Sequence, residues 1–464
     1  MVEEQTPVSK QRLVGLKGSR IFFSPFAVLL IFALACYFTI SKHYVAGVIA
    51  FAALICLELF LCSDLSVISL PLLLVCVFVT NCYDSYDTFI KFVVAAPLVV
   101  AAVLYNIIAY REKPRIGRTL FGWIAVSIAL LLGGFGYITA KNYFSGNSLF
   151  YTLGLGVGML LFYLLVRSRF SALDIYGVFR KIALVMYLVG LLASLNVVVY
   201  YLPVFLEDYP LSEAIRLFSA SNNLSTFLMF AMPYPVWYAL KQNPFHILSL
   251  LLFYLSICAT GSRAGLLLGT IEFVICIGFW AFYSGRIVRF MAGMVCSIGA
   301  LLLIIILVDI DSILPGFNFV TRGEMRSQAI PVAIRAFLDH PIFGVGMKHD
   351  LLNGIYHPKQ GAMAWFHMYV PQIVASMGCV GIFAYGLQLI LRMTLILRRE
   401  NTPLRLTLGI SYIGVLLMSQ LNPGEFCPIP YGMMIAVIFA LLEQLTDTER
   451  LAKSLAPDWE KGIF

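Results

Sequence analysis

The chain has 464 residues, of which 61% are hydrophobic and only 12% are charged. Soluble domains carry about 25% charged residues, so this composition excludes an ordinary soluble globular protein. A net charge of +8 would suggest nucleic-acid binding in a soluble protein. In so apolar a chain we instead expect basic loops that set membrane topology, and no nucleic-acid partner.

Apolar stretches of about 20 residues, each long enough to cross a bilayer, recur along the whole sequence. The predicted fold is therefore all-α, a polytopic membrane bundle of about 12–14 transmembrane helices. We place the spans at residues 21–40, 44–62, 65–80, 88–110, 119–139, 148–166, 182–204, 223–240, 244–260, 264–283, 288–309, 368–391, 406–421 and 428–445.

These spans divide the chain into five parts. In order they are a basic N-terminus (1–20), the N-terminal part of the bundle (21–309), one long extracytoplasmic loop with amphipathic helices (310–367), the C-terminal transmembrane helices (368–445) and a tail (446–464).

Basic residues are distributed unequally between the loops. Residues 1–20 hold four Lys or Arg and no signal-peptide cleavage site, so we expect an uncleaved cytoplasmic N-terminus. Three inner loops then hold four Lys or Arg each, whereas the short outer loops hold only Lys42 and Lys141. The inner loops are 111–118, 167–181 and 392–405. The positive-inside rule predicts a multi-pass protein of the cytoplasmic membrane with both termini in the cytoplasm.

Three outer segments nevertheless contain arginine. They are 205–222 with Arg216, the junction 260–265 with Arg263, and the long loop 310–367. Since all three face the same side, charge gathers at the outer mouth of the bundle. Within the long loop, residues 322–339 predict an amphipathic helix that is kinked near Pro331 and ended by His340-Pro341 and a glycine turn.

Arginine at these places admits two interpretations. Arg263 opens an apolar span, where an arginine can simply snorkel to the interface. However, it opposes the topology rule, and a guanidinium suits bidentate binding of phosphate. Arg322 and Arg326 share a helix face by their i, i+4 spacing, and Glu324 lies off that face. For these two the alternative is a solvated helix surface.

His367 lies in the stretch FHMYVPQIVASMG, where the chain re-enters the membrane. One interpretation is an interfacial aromatic belt with an incidental histidine. The other is a general base, because histidine titrates near neutral pH and can take a proton from an attacking hydroxyl.

Neither a metal site nor a disulfide framework is predicted. The four histidines of the long loop are spaced 9, 8 and 10 residues apart, which fits no helical ligand pair. The ten cysteines lie mostly in apolar runs, as small buried hydrophobic residues do. Cys82 and Cys427 fall in predicted outer loops, where a bridge lacks support.

Four motifs follow one another in the second half of the chain. They are RLFSASNNLSTF (216–227), TGSRAGLLLG (260–269), RSQAIPVAIRAFLDHPIFGVG (326–346) and FHMYVPQIVASMGCVG (366–381). In this order they resemble the O-antigen ligase and O-antigen polymerase superfamily, while the first half resembles it only in hydrophobic architecture. The resemblance implies a GT-C type glycosyltransferase. Such an enzyme moves a glycan from a polyprenyl-diphosphate donor onto a glycan or glycolipid acceptor outside the cytoplasmic membrane.

The resemblance also implies roles for residues. Arg263 and Arg326 match arginines that hold the donor diphosphate, and His367 matches the histidine that activates the acceptor hydroxyl. Met368 stands where the usual pattern has an asparagine after that histidine. No cofactor or metal is implied, since fixed cations can compensate the leaving phosphate. Further candidate substrate contacts are Arg216, Arg322 and Asn223.

Three functions remain in view. A lipid-linked glycan ligase comes first, and a repeat-unit polymerase of the same superfamily second. The third is a lipid-linked oligosaccharide flippase or other transporter, which should show internal repeats, broken helices and ionisable residues inside spans. It ranks lower because the spans are nearly free of charge at mid-depth, with Glu58 and Glu272 near span ends. Glu425 is expected to pair with one of the outer arginines.

Overall fold

The computed structural model describes most of the chain. The described residues are 10–81, 96–110, 116–141, 146–170, 174–206, 221–285, 319–347, 366–398, 402–422, 425 and 429–455, with isolated positions between 288 and 299. Regular structure within these ranges is helical, with no strand, which confirms the all-α prediction.

Helices of the N-terminal half coincide with most of the predicted spans there. Their bounds are α1 Lys10–Phe22, α2 Pro25–Ile40, α3 Tyr44–Leu61, α4 Ser69–Asn81, α5 Ala96–Ala109, α6 Leu120–Ala129, α7 Gly146–Thr152 and α8 Met159–Phe170. Helix α6 continues into a π-helical segment, Leu130–Gly134, and Leu153–Gly158 joins α7 to α8 in the same way.

The remaining helices are longer on average and include the long-loop helix that the sequence predicted. Their bounds are α9 Ile175–Leu206, α10 Ser221–Ala231, α11 Pro233–Lys241, α12 Ile247–Ala259, α13 Arg263–Tyr283, α14 Phe319–Asp339, α15 Tyr369–Ile396, α16 Pro403–Ser419 and α17 Ile429–Leu455. The predicted span 288–309 lies almost wholly outside the described residues.

Several helices are long and apolar enough to cross a membrane. Among the described residues there are five, or six if the bent pair Gly15–Phe22 and Pro25–Ile40 forms one span. Other apolar helices are shorter, at 10–17 residues. The chain is thus a multi-pass helical membrane protein, and the larger number of 12–14 spans stays a prediction.

Local sequence signals explain where helices begin and break. Ser24, Ser262 and Thr402 cap α2, α13 and α16, each accepting a hydrogen bond from the backbone N–H three residues later. The predicted span 223–240 is two helices, because Pro233 and a second proline two residues on have no N–H for the preceding turn. Across this break, Ser411 Oγ donates to the Phe230 carbonyl at 2.6 Å.

Glu272 is deeper than expected. The sequence placed it near a span end, yet it is the tenth of the 21 residues of α13 and only 1% exposed. The helix begins directly at Arg263, so its middle falls at this carboxyl group. Gly414 of α16 makes room for it, since a Cβ there would lie 2.3 Å from Glu272 Oε2.

Polar contacts tie the predicted inner segments together at one end of the bundle. Arg167 Nε lies 3.2 Å from Glu443 Oε2, and Lys181 pairs with Asp64. Arg169 Nη2 donates to the Asn106 carbonyl at 2.8 Å. Segments that the charge pattern assigned to one side therefore meet, which leaves the opposite end for the candidate site.

Candidate active site

Two of the sequence motifs meet where α10 begins and α13 starts. Ser262 Oγ donates to Asn222 Oδ1 at 2.7 Å and accepts from the Gly265 N–H at 3.0 Å. Ser225 Oγ lies 2.7 Å from Thr260 Oγ1. A serine and an asparagine thus fix the turn that carries Arg263.

Gly265 explains the tight packing below this turn. A Cβ at that position would lie 2.5 Å from Ser225 Oγ, closer than real Cβ atoms approach. Glycine therefore lets α13 lie directly against α10, which holds the first turn of α13 in a single place.

Arg263 is the first residue of α13 and is half-buried. The N-terminus of a helix presents backbone N–H groups and a positive dipole, so it favours anions and disfavours a cation. A phosphate bound at this helix start would meet both the positive end of the dipole and the guanidinium group.

Asn223 links the same place to the C-terminal helices. Its carbonyl accepts from Tyr431 Oη at 2.8 Å, and its Oδ1 lies 3.5 Å from Asn422 Nδ2. Asn223, a candidate substrate contact from the sequence, thus joins α10 to the start of α17. We call this end of the bundle the mouth; it contains Asn222, Ser262, Gly344 and His367.

Other predicted site arginines are described less fully. Arg216 lies outside the described residues. Arg322 and Arg326 lie on α14, whose helical backbone keeps their i, i+4 relation. Helix α14 continues through Pro331 to Asp339, so the predicted helix and its end at His340 are confirmed, while the kink near Pro331 stays a prediction.

His367 has a left-handed backbone, with φ +52°. Non-glycine residues rarely adopt this conformation, and such strain often marks functional sites. The residue is half-buried between Phe366 and Met368, which are 0% and 6% exposed. Met368 caps α15 in an extended conformation, so the strained turn directs the chain from the loop into the helix.

Gln372 holds this turn in place. Its Oε1 accepts from the Phe366 N–H at 3.0 Å, and its Nε2 donates to Ser376 Oγ at 2.9 Å. The glutamine is fully buried. Sequence analysis did not single it out, because Met368 at the N-cap and Pro371 at the third helical position form no capping box.

Helix α15 folds back on itself at Gly378, which has φ +57° and ψ −147°. The rings of Tyr369 and Tyr385 lie 5.8 Å apart. On a straight helix these residues would be separated by about 24 Å. A short limb, 369–377, therefore packs against the longer limb, 379–396.

The motif HPIFGVG caps both helix ends exposed by this fold-back. The N–H groups of Cys379 and Val380 donate to the carbonyls of Pro341 and Ile342 at 2.8 and 3.2 Å. In the opposite direction, the Ala375 and Ser376 carbonyls accept from two N–H groups of the motif at 2.9 Å each. Helix ends leave such groups unpaired, and membrane surroundings make them costly. The motif thus stabilises the limb that follows His367.

Glycines allow this close approach. Gly344 and Gly346 have φ of +67° and +81°. A Cβ on Gly344 would lie 2.5 Å from the backbone of residues 375–377. The motif also reaches the end of α6, where the Met347 N–H donates to the Gly134 carbonyl at 2.8 Å.

Glu425 lies at the centre of a buried polar cluster. It accepts from Arg392 Nη1 at 3.0 Å, Tyr412 Oη at 3.2 Å and Tyr369 Oη at 3.4 Å. The Arg392 guanidinium stands 4.9 Å from the Trp123 ring centroid. The cluster therefore fixes Tyr369, two residues after His367.

This pairing corrects two expectations. Glu425 pairs with Arg392 rather than with an outer arginine, and Arg392 was assigned to the inner loop 392–405. Helix α15 continues to Ile396, and residue 425 folds back into the bundle, so the two meet in its interior. Gln388 and Arg392, spaced i, i+4 in an apolar helix, were the overlooked sequence signal.

With this geometry described, comparison with known proteins identifies the central stretch. Residues 248–386 match the family model for O-antigen ligase. This stretch is therefore similar to the O-antigen ligases. No curated protein and no solved structure matches the chain.

The match confirms the resemblance inferred from the motifs. It covers less than a third of the 464 residues, from within α12 to the middle of α15. Arg263, Arg326 and His367 lie inside it, whereas Asn223 and Glu425 lie outside. An O-antigen ligase domain implies an enzyme of the ligase or polymerase type that acts on lipid-linked glycans.

Proposed function

We propose that this protein is a glycosyltransferase of the O-antigen ligase type that works at the mouth, on the outer side of the cytoplasmic membrane. It moves a glycan from a polyprenyl-diphosphate donor onto an acceptor hydroxyl, without a metal and with inversion. The observation that carries the proposal is the family match over 248–386, which contains Arg263, Arg326 and His367.

The connections between these residues support a single site. Arg263 follows Ser262, which bonds Asn222, and the neighbouring Asn223 contacts Asn422. Glu425, three residues further on, bonds Tyr369 beside His367. On the other side, Ala329 and Ala333 of α14 pack with Phe366 and Met368, so the helix of Arg326 lies beside the same turn.

The reaction assigns each residue a task. His367 takes the proton of the acceptor hydroxyl, whose oxygen attacks the anomeric carbon. The bond from that carbon to the phosphate oxygen breaks, and the diphosphate leaves with the electron pair. Arg263 and Arg326 compensate the negative charge that develops on the diphosphate. Electrostatic stabilisation of this kind is usually the largest single contribution to enzymatic rate enhancement. Arg216, Arg322 and Asn223 are proposed as further contacts to donor or acceptor.

A polymerase of the same superfamily would use the same chemistry with a second lipid-linked glycan as the acceptor. Transporters also contain broken helices, so the fold-back at Gly378 is a feature that this alternative shares. Here the break is bonded to the HPIFGVG motif at the mouth and follows His367 by eleven residues. It therefore supports a positioning role in an enzyme.

The test is a reconstituted assay with a polyprenyl-diphosphate glycan, an acceptor glycolipid and EDTA. We expect glycosidic product with EDTA present, and losses of about 10²–10³-fold for Arg263→Ala and Arg326→Ala. His367→Ala should lose about 10²–10⁴-fold. Single transfer indicates a ligase, and a ladder of products indicates a polymerase.

Arg335→Ala is the matched control, because Arg335 lies on α14 but is exposed. It should retain full activity. Transport of the donor across the bilayer without any new glycosidic bond would refute the enzyme. Retained anomeric configuration would refute direct displacement.

A further inference from the structure

Helix α14 has two unlike apolar surfaces. Ala329, Ala333 and Ala336 are at most 5% exposed and pack with Phe366 and Ala375. Small side chains on this face let the helix lie close to the short limb of α15. Larger apolar side chains lie elsewhere on the same helix.

Those larger side chains form an exposed row. Ile330, Ile334 and Leu338 are 41%, 52% and 69% exposed. At about 100° per residue they fall within an arc of about 80°. Arg335 and Asp339, also exposed, lie about 140° to 180° from Ile330 around the helix. The helix therefore has an apolar exposed side and a polar exposed side.

Ile342 extends this row beyond the end of the helix. It is 59% exposed, and its carbonyl accepts from the Val380 N–H at 3.2 Å. This bond places it beside the first turn of the long limb of α15, where Ile382 and Phe383 are 45% and 71% exposed. Exposed apolar side chains on a membrane-spanning limb face acyl chains, so the row continues the lipid-facing surface.

We infer that α14 is an interfacial helix whose apolar stripe, defined as Ile330, Ile334, Leu338 and Ile342, is inserted into the bilayer leaflet at the mouth. Arg335 and Asp339 then face water. Helices with one apolar and one charged side lie in the membrane plane in this way. The stripe therefore contacts the acyl chains of phospholipids.

The placement of α14 has a consequence for donor binding, and this consequence rests on the proposed function. Arg326 precedes Ile330 by one helical turn, so a helix held at the interface keeps that residue at headgroup depth. The diphosphate of a lipid-linked donor lies at the same depth. The stripe itself is argued independently of any activity.

Spin labels on single introduced cysteines test the stripe in the full chain reconstituted into phosphatidylcholine–phosphatidylglycerol nanodiscs. A Cys379→Ser background removes an exposed native thiol. Labels at 330, 334 and 338 should be several-fold more accessible to oxygen than to a water-soluble nickel chelate. Labels at 328, 335 and 339, on the polar side, should show the reverse.

A second measurement uses the same geometry without a spin label. Ile334→Trp should add fluorescence that brominated phosphatidylcholine quenches, while the matched Arg335→Trp should not be quenched. Equal nickel accessibility on both sides would overturn the inference, because the stripe would then face water. Protection from both relaxing agents would overturn it too, by showing that protein covers the stripe. Neither result depends on transferase activity.

Discussion

At the scale of single residues, two unusual backbone conformations shape the candidate site. His367 and Gly378 both have positive φ, and they bracket the short limb of α15. One turn leads the chain into that limb and the other leads it out. A fixed backbone at His367 would limit the positions open to its side chain, which suits the general base proposed above.

A substitution at Gly378 tests the backbone conformation of the fold-back most directly. Gly378→Ala should destabilise the protein by at least about 1–3 kcal/mol, because alanine is strained at that φ and ψ. Its Cβ would also lie 2.5 Å from the Pro341 carbonyl oxygen. Thermal unfolding in detergent measures the loss.

Gly386→Ala on the same helix is the control, since a Cβ there meets nothing within 4 Å. Alanine is favoured over glycine in a helix by about 1 kcal/mol, so this variant should be as stable as the parent or slightly more so. Equal destabilisation of the two variants would contradict the structure of the fold-back.

At the scale of elements, α14 and α15 show what local sequence does and does not determine. The end of α14 was predictable, because His340-Pro341 and the following glycines stop a helix by local rules. The fold-back of α15 was missed. Residues 369–396 have the same hydropathy whether the chain runs straight or reverses, and only long-range bonds from Pro341 and Ile342 select the reversal.

The Arg392–Glu425 pair gives the second stability prediction. Both side chains are buried, so Arg392→Leu alone should cost about 3–5 kcal/mol by leaving a carboxylate uncompensated. Replacing both by leucine should cost less than the sum of the single changes. A double-mutant cycle on unfolding measures this coupling.

Arg398 offers the comparison, because it is partly exposed and lies 3.9 Å from Glu449. Arg398→Leu should cost no more than about 1 kcal/mol. If Arg392→Leu is as mild as this surface change, the cluster does not hold Tyr369 and the beginning of α15.

At the scale of the whole molecule, charge patterning was the most informative part of the sequence. It placed segment 167–181 on the inner side, and Lys181 of that segment pairs with Asp64, which lies between the predicted spans 44–62 and 65–80. It failed at Arg392, where a basic residue counted as part of a loop lies inside the bundle. Loop charge reports only which side a segment lies on, whereas burial of a charge depends on partners distant in sequence.

Orientation in the membrane can be tested directly. Three single-cysteine variants are made in the Cys379→Ser background. Lys141→Cys places the cysteine at the mouth end, and Asp174→Cys and Gln242→Cys place it at the opposite end. All three positions are exposed. A membrane-impermeant maleimide should label residue 141 in intact cells, and residues 174 and 242 only after permeabilisation. The reverse pattern would place the mouth in the cytoplasm and refute the proposed localisation.

The bonds that close the fold-back of α15 have an evolutionary consequence. All four join main-chain atoms, between residues 341–346 and residues 375–380. Apart from the glycines, the letters of that stretch can therefore drift while the bonds persist. The length of the stretch cannot change in the same way, because one inserted or deleted residue would shift the hydrogen-bond register between the two segments. In descendants of this chain, substitutions should accumulate there more readily than gaps.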